Sequence, residues 1–154
     1  MRKVLFVCIH NSARSQMAEA FVNRLCAGRI EAQSAGLEPG TLSPLVVEVM
    51  HEVGVDLGGK PTRSVFDVFK SGERFDFVIT VCDEAAAERC PVFPGVTQRL
   101  HWSFPDPGAL AGSWEQRLEQ TRAVRDAIRR RAAEWCADAC PRHRPPGPPV
   151  REVA

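Results

Sequence analysis

The sequence contains no tyrosine, no long apolar run and no excess of charge of either sign. Its 20 Lys and Arg residues nearly balance its 19 Asp and Glu residues, so charge gives no reason to expect binding to nucleic acid or to a membrane surface. No apolar segment approaches the ~20 residues of a transmembrane helix. The N-terminus leads directly into a predicted strand without the layout of a signal peptide, so we expect a cytoplasmic protein.

The 154 residues are enough for one domain with a hydrophobic core, and 44% of them are hydrophobic. Six cysteines without a signal peptide indicate a reducing compartment and catalytic or redox use, rather than a disulfide framework. We predict a single domain over residues 1–140 and a monomer. The tail over residues 141–154 carries five prolines and is expected to be disordered.

The N-terminal stretch predicts a buried strand, a tight loop and the start of a helix. The strand Val4–Val7 is a short apolar run, typical of the centre of a parallel sheet. The loop opens with Cys8 and closes with Arg14, and five residues lie between them in the C-x5-R spacing. Ser15 is predicted to cap the following helix.

This strand, loop and helix together predict a binding site for a tetrahedral oxyanion. The first N–H groups of a helix lack internal partners, and the helix dipole adds positive charge there. The Arg14 guanidinium can bind two oxygens of one anion. Positive surroundings favour a thiolate, which is the nucleophilic form of cysteine. A buried structural Cys8 beside an unrelated arginine is the alternative, and the flanking strand and helix disfavour it.

The segment from Cys8 to Ser15, which reads CIHNSARS, resembles the phosphate-binding loop of the low-molecular-weight protein tyrosine phosphatase superfamily. The run SQMAEA that begins at Ser15, and the later Ser34-Ala35-Gly36, resemble the arsenate reductase branch. The similarity extends from residue 3 to about residue 135. It implies a three-layer α/β fold, a four-stranded parallel sheet with helices on both faces. The implied substrate-binding residues are Ile9, His10, Asn11, Ser12, Ala13, Arg14 and Ser15. The resemblance also implies that Ser15 hydrogen-bonds the nucleophile and that Asn11 shapes the loop.

A second informative stretch follows the predicted strand Phe75–Val81. Cys82 ends this strand, and seven residues that favour helix separate it from Cys90. Two cysteines at the ends of an intact helix are too far apart to bond. Because the loops beyond parallel strands meet in one crevice, we expect Cys82 near Cys8. This favours a thiol relay over a zinc site or two inert cysteines.

Asp106 also lies beyond a predicted strand, Leu100–Trp102. An aspartate before a proline is commonly a turn residue. The position of Asp106 at the same sheet edge, together with the resemblance, favours the general acid of the superfamily.

The resemblance implies a reaction in which Cys8 attacks arsenate, Arg14 holds its oxygens and Asp106 protonates the departing hydroxyl. Cys82 then attacks Cys8 and releases arsenite, and Cys90 attacks Cys82 to leave a second disulfide. The implied electron donor is reduced thioredoxin, with glutaredoxin and glutathione as the alternative, and no tightly bound cofactor is expected. Thioredoxin-coupled relatives usually have six residues between the last two cysteines, whereas this chain has seven.

Some relatives bind potassium through an asparagine, a glutamate, a serine and an aspartate. Asn11, Glu19 and Ser34 match the first three of these ligands. The aspartate has no match in residues 60–64, where Arg63 is predicted to supply the charge instead. The chain therefore predicts a weak potassium site at most, and no other metal.

Two other functions stay open. A tyrosine phosphatase would use Cys8, Arg14 and Asp106, but such enzymes carry aromatic residues around the pocket. Here Gly108-Ala109 follows the Asp-Pro pair, and the chain has no tyrosine. A non-enzymatic arsenite or metal-binding protein would instead use four thiols, namely Cys82, Cys90, Cys136 and Cys140.

The remaining predictions concern packing. Cys26 is predicted to be a core thiol, and Cys136 and Cys140 to be incidental thiols. A long helix is predicted from Ser113 to about Ala137, with arginines on a solvated face because acidic residues interleave with them. Its predicted buried face consists of Trp114, Leu118, Thr121, Val124, Ile128, Ala132 and Trp135.

Overall fold

The computed structural model describes residues 1–95 and 98–139. Cys140 and the predicted tail 141–154 lie outside the described residues. Within the described ranges, no helix combines the length and the apolar character needed to cross a membrane. The elements are β1 Arg2–Cys8, α1 Arg14–Leu25, β2 Ile30–Gly36, α2 Pro44–Glu52, α3 Val65–Lys70, β3 Phe77–Thr80, α4 Glu84–Ala87, β4 Gln98–His101 and α5 Trp114–Ala139, with a 3₁₀ turn at Pro107–Ala109.

The four strands form one parallel sheet in the order β2-β1-β3-β4. Val4 of β1 pairs with Ala32 of β2 on one side and with Phe77 of β3 on the other. The five residues from Val4 to Cys8 are all buried, as expected for a central parallel strand that is covered on both faces. The predicted α/β fold, a four-stranded parallel sheet with helices on both faces, is confirmed.

An aromatic cluster joins the sheet to the last helix. Trp135 of α5 packs edge-on against Phe77 of β3, with ring centroids 5.1 Å apart, and against Trp102, at 6.0 Å. Trp102 also contacts Phe6 of β1, with centroids 5.4 Å apart. Such pairs add about 0.5–1.5 kcal/mol each beyond the burial of their surface. The cluster therefore anchors α5 to the strand that carries Cys8.

The start of α5 differs from the prediction. Trp114 is 43% exposed, because the packed face of the helix begins one turn later, at Leu118. Arg125, which was predicted to be solvated, is only 8% exposed. Its guanidinium donates to the Val49 carbonyl at 2.9 Å and to Glu52 at 2.9 Å, and these partners allow a charged side chain to be buried against α2.

Cys26 and Cys136 form a disulfide, with Cα atoms 6.0 Å apart. The prediction of two separate thiols was therefore wrong. Cys26 follows α1 and Cys136 lies on α5, so the packing of these two helices brings together residues that are 110 positions apart. Sequence spacing carries no signal of such a long-range contact. Because Cys136 is bonded, it is unavailable to the four-thiol metal site considered above.

Candidate active site

The loop between β1 and α1 is supported from outside by the segment 37–43. The N–H groups of Leu37, Glu38 and Gly40 donate to three successive loop carbonyls, at 2.7–3.0 Å. Because the C=O and N–H of a peptide point in opposite directions, outward carbonyls turn the following N–H groups toward the centre of the loop. The loop is thus shaped to surround an anion with donors. The accepting carbonyls are those of Cys8, Ile9 and His10.

Asn11 sets the shape of this loop. Its φ of 56° lies in the left-handed region, and the residue is fully buried. The side-chain amide donates to the hydroxyls of Ser15 at 2.8 Å and Ser34 at 3.0 Å, and its oxygen accepts the Arg63 N–H at 2.9 Å. These bonds offset the conformational cost of the backbone. A Cβ added at Gly36 would lie 2.7 Å from the Asn11 nitrogen, so only glycine fits there.

The Cys8 sulfur lies inside the loop and is 2% exposed. It is 2.9 Å from the Ser15 hydroxyl and 3.2 Å from the Asn11 N–H. Because the Ser15 oxygen accepts a bond from the Asn11 amide, its own proton is available to the sulfur. The prediction of Ser15 as the helix cap was wrong, because α1 already begins at Arg14 and Ala13 occupies the cap position.

Arg14 and Asp106 face each other across the loop. The Arg14 side chain is buried, and its Nη1 donates to the Phe104 carbonyl at 3.2 Å. Its Nη2 lies 3.8 Å from Oδ2 of Asp106. The other oxygen of Asp106 accepts the Gly108 N–H at 2.9 Å, and the carboxylate side chain is 38% exposed. This arrangement leaves the second carboxylate oxygen, Oδ2, beside the Arg14 guanidinium.

Cys82 lies next to Cys8 across the β1–β3 pair. The Val81 N–H donates to the Val7 carbonyl at 2.8 Å, which places the two cysteines at the same end of adjacent strands. Cys82 is fully buried. Burial raises the pKa of the Cys82 thiol to about 11, and the charges of Cys8 and Asp83 raise it while Arg14 lowers it. The Cys82 thiol is therefore protonated at neutral pH.

Cys90 lies at the far end of the short helix α4. The Asp83 carboxylate accepts the Ala86 N–H at 2.8 Å and caps this helix, and the Cys90 N–H donates to the Ala87 carbonyl at 3.1 Å. Cys90 is 4% exposed, and burial raises the pKa of its thiol. The helical segment that was predicted between Cys82 and Cys90 is present, and both cysteines are free, as is Cys8.

The three residues that match potassium ligands are linked to one another by hydrogen bonds. The Ser34 hydroxyl donates to Oε1 of Glu19 at 2.7 Å and accepts from Asn11. The Lys60 ammonium forms an ion pair with Oε2 of Glu19. The Arg63 guanidinium donates instead to a glutamine on β2, so the prediction that it supplies the charge here was wrong. This set does not fit potassium, because a lysine already neutralises its one carboxylate.

Burial and the nearby Arg63 lower the pKa of Lys60 to about 8, which leaves it mainly charged at neutral pH. Neither Lys60 nor the role of Gly36 follows from the sequence pattern, because each contact joins segments that are distant along the chain. Gln16 was also missed. Its side-chain amide donates to the Asn11 carbonyl at 3.1 Å and to the Pro61 carbonyl at 3.2 Å.

Within residues 1–95 and 98–139, no group of three or more His, Cys, Asp or Glu side chains is arranged to hold a metal ion.

Comparison with known proteins finds relatives that are named as arsenate reductases. An arsenate reductase of Shouchella clausii is 38% identical over 126 residues, which cover 81% of this chain and 88% of the relative. A glutaredoxin arsenate reductase of Synechocystis is 38% identical over 139 residues, which cover 89% and 98% of the two chains.

Solved structures agree with these relatives. An arsenate reductase in the oxidized state superposes with a TM-score of 0.75 at 32% identity, over 90% of this chain and 98% of the other. The thioredoxin-dependent arsenate reductase of Corynebacterium glutamicum gives a TM-score of 0.58 at 26% identity, over 86% of this chain and 62% of the other. The model of the low molecular weight phosphotyrosine protein phosphatase family matches residues 3–142. The chain therefore belongs to the low molecular weight phosphotyrosine protein phosphatase family.

Proposed function

We propose that this protein reduces arsenate to arsenite through a relay of three cysteines, Cys8, Cys82 and Cys90. The observation that carries this proposal is the free, buried thiol of Cys82 beside the anion loop. A phosphatase of this family would need only a nucleophile, an arginine and an acid. A second thiol next to the nucleophile is useful when the reaction leaves sulfur bonded to an atom that must be reduced.

In the first step, the Cys8 thiolate attacks arsenic and a hydroxyl leaves as water. The loop N–H groups and the Arg14 guanidinium bind the oxygens, and Asp106 supplies the proton to the departing hydroxyl. Arsenic is not yet reduced at this stage. The product is an arsenate ester of the Cys8 sulfur, held by the same donors.

In the second step, the Cys82 thiolate attacks the Cys8 sulfur and the sulfur–arsenic bond breaks. Its electron pair goes to arsenic, so As(V) becomes As(III) and leaves as arsenite, while the two sulfurs form a disulfide. The charge on Cys8 is one of the influences that raise the pKa of Cys82. Because the attacking species is the thiolate, this raised pKa limits the rate of the second step.

In the third step, Cys90 attacks the Cys82 sulfur and forms the Cys82–Cys90 disulfide, which restores the Cys8 thiolate. The helix α4 separates these two cysteines, so it must unwind for their sulfurs to meet. Unwinding also brings the new disulfide out of the core, where an external dithiol can reduce it. We assign that role to thioredoxin, with glutaredoxin and glutathione as the alternative, since relatives of both descriptions exist.

The test is arsenate-dependent oxidation of NADPH, measured with thioredoxin and thioredoxin reductase, and in parallel with glutaredoxin, glutathione and glutathione reductase. We expect turnover in the thioredoxin assay, and loss of at least ~100-fold on changing any relay cysteine to serine. The matched control is the double variant Cys26→Ser/Cys136→Ser, which removes two cysteines outside the relay and should keep its activity. Full turnover of Cys90→Ser would contradict the three-cysteine relay, and turnover with glutaredoxin alone would contradict the assigned donor.

A tyrosine phosphatase remains the second candidate, because the anion loop and the family model are shared with such enzymes. The residues after Asp106-Pro107 argue against it, since Gly108 and Ala109 are exposed and offer no aromatic wall. Hydrolysis of an aryl phosphate through Cys8, together with no effect of arsenate on NADPH oxidation, would replace the arsenate proposal by this one.

A further inference from the structure

We propose that Lys60 is a positioning residue, whose ammonium supplies the fixed positive charge that orders the polar chain behind Cys8. In this chain, the Lys60 ammonium supplies the positive charge that a bound monovalent cation would otherwise supply. The inference rests on the proposed role of Cys8 as the nucleophile. It does not depend on the identity of the oxyanion.

An unbroken series of polar contacts leads from Lys60 to the nucleophile. The ammonium pairs with one oxygen of Glu19, and the other oxygen accepts the Ser34 hydroxyl at 2.7 Å. The Ser34 oxygen in turn accepts the Asn11 amide at 3.0 Å. That same amide donates to the Ser15 hydroxyl at 2.8 Å, which lies 2.9 Å from the Cys8 sulfur.

Each donor in this series has a defined direction. Ser34 gives its proton to Glu19, so its oxygen can only accept, and the Asn11 amide is therefore drawn toward it. The amide also bonds the Ser15 oxygen and leaves the Ser15 proton for the sulfur. The orientation of the whole series therefore depends on an ionised Glu19. A protonated or displaced Glu19 would release Ser34 and, through it, Asn11.

The charge of Lys60 is important because the polar groups that it orders are buried. Asn11, Ser15 and Ser34 are at most 1% exposed, and the Glu19 side chain is only 13% exposed. A carboxylate in such a place is costly unless a cation neutralises it. Among the described residues, Lys60 is the cation that forms an ion pair with it.

Lys60 is held at this site by its neighbours along the chain. The Pro61 carbonyl accepts the side-chain amide of Gln16, and the Arg63 N–H donates to the Asn11 side chain at 2.9 Å. The segment 60–63 thus makes three contacts here, one with the anion loop at Asn11 and two with α1, of which the Lys60 ammonium makes one. A cation that is part of the chain cannot diffuse away, so we expect the reactivity of Cys8 to be independent of potassium.

The experiment measures the rate at which iodoacetamide alkylates Cys8 at pH 7, in a protein whose Cys82 and Cys90 are serines. We expect Lys60→Met to slow alkylation about tenfold, the effect of losing one hydrogen bond to a charged group. Adding 100 mM KCl in place of choline chloride should restore part of the rate in Lys60→Met and change nothing in the parent. Lys60→Arg should keep the parent rate, because it keeps the charge.

Lys3→Met is the matched control. Lys3 also forms an ion pair with a glutamate, Glu73, and its side chain is 30% exposed, compared with 29% for Lys60. It lies at the opposite end of β1 from Cys8, so its loss should leave alkylation unchanged. An unchanged rate in Lys60→Met overturns the proposal, as does an equal loss in Lys3→Met or a slowed Lys60→Met that potassium does not restore. Because alkylation involves no arsenate, these outcomes are separate from failure of the proposed function.

Discussion

At the scale of single residues, the raised pKa of the Cys82 thiol controls when this residue can react in the proposed mechanism. Burial raises the pKa of its thiol to about 11, and the neighbouring charges of Cys8 and Asp83 add to the increase. A protonated thiol is a poor nucleophile, so the resting enzyme keeps its second sulfur inactive beside the first. The Arg14 guanidinium opposes the increase but does not cancel it.

The pH dependence of the second step follows from this pKa. Below pH 11 the thiolate fraction of Cys82 rises about tenfold with each pH unit, so formation of the Cys8–Cys82 disulfide should accelerate steeply between pH 7 and pH 9. Asp83→Asn removes a negative charge and keeps a capping side chain, so it should lower the pKa of Cys82 and speed this step at pH 7. Rapid-quench mapping of the disulfide in the Cys90→Ser background measures the rate.

The control for this prediction is alkylation of Cys8 in a protein that lacks the other two relay thiols, over the same pH range. It reports changes in the nucleophile alone. A disulfide-formation rate that is flat between pH 7 and pH 9, or a slower step in Asp83→Asn, would show that ionisation of Cys82 does not govern the step.

The residues that carry the chemistry of the site were more predictable from the sequence than the residues that hold them in position. Cys8 and Arg14 are recognisable because their spacing is local, and the resemblance to a known loop adds the role of Asn11. The bond between Ser15 and the sulfur was implied only by that resemblance, and the residue itself was mistaken for a cap. Lys60 could not be found from sequence, because its contact with Glu19 arises from the fold.

At the scale of secondary-structure elements, α4 is the part of the site that must change shape. It contains only the four residues Glu84–Ala87, and isolated helices of this length are unstable in water. Its N-terminal cap is the Asp83 carboxylate, and an exposed ion pair between Arg89 and Glu38, at 2.8 Å, ties its C-terminal end to the segment beside the anion loop. Few interactions therefore oppose unwinding.

The cap of α4 gives a direct test of unwinding. Asp83→Ala removes both the charge and the cap, whereas Asp83→Asn removes only the charge, since asparagine also caps helices. Loss of a cap costs about 1 kcal/mol, so transfer of the disulfide from Cys8–Cys82 to Cys82–Cys90 should be about fivefold faster in the alanine variant than in the asparagine variant. Time-resolved alkylation and peptide mapping distinguish the two disulfides. Equal transfer rates in the two variants would mean that unwinding is not limiting.

Elements with a strong local pattern were predicted well. The central strands were recognised from apolar runs, and the long C-terminal helix from its periodicity. The ends of these elements were predicted less well. Trp114 has the right spacing for the buried face of α5 but lies before the part of the helix that packs against the core. Arg125 shows the opposite case. It is a charged residue that is buried because it has hydrogen-bond partners on α2.

At the scale of the whole molecule, the Cys26–Cys136 disulfide joins the helix that follows the anion loop to the last helix. Both cysteines are at most 4% exposed, so the bond is shielded from external thiols. It closes a loop of about 110 residues, and loops of this length are those for which a cross-link restricts the unfolded chain most. The topology therefore separates a structural disulfide from the catalytic thiols.

We predict that the double variant Cys26→Ser/Cys136→Ser loses about 2–4 kcal/mol of unfolding free energy while its arsenate reduction is retained. For a chain of this size, such a loss corresponds to a decrease in Tm of roughly 5–15 °C. Circular dichroism melts without reductant measure it. Cys90→Ser serves as the control and should melt like the parent. Peptide mapping that finds both thiols free in the air-oxidised protein would contradict the assignment.

In the proposed reaction, three cysteines pass two electrons to one arsenate. The most direct measurement is a single turnover, in which the fully reduced protein is mixed with arsenate without any reductant, and arsenite and disulfides are quantified together. We predict one arsenite per protein and a Cys82–Cys90 disulfide in the parent, and a Cys8–Cys82 disulfide in Cys90→Ser. Release of no arsenite, with all three thiols still free, would contradict the three-cysteine relay.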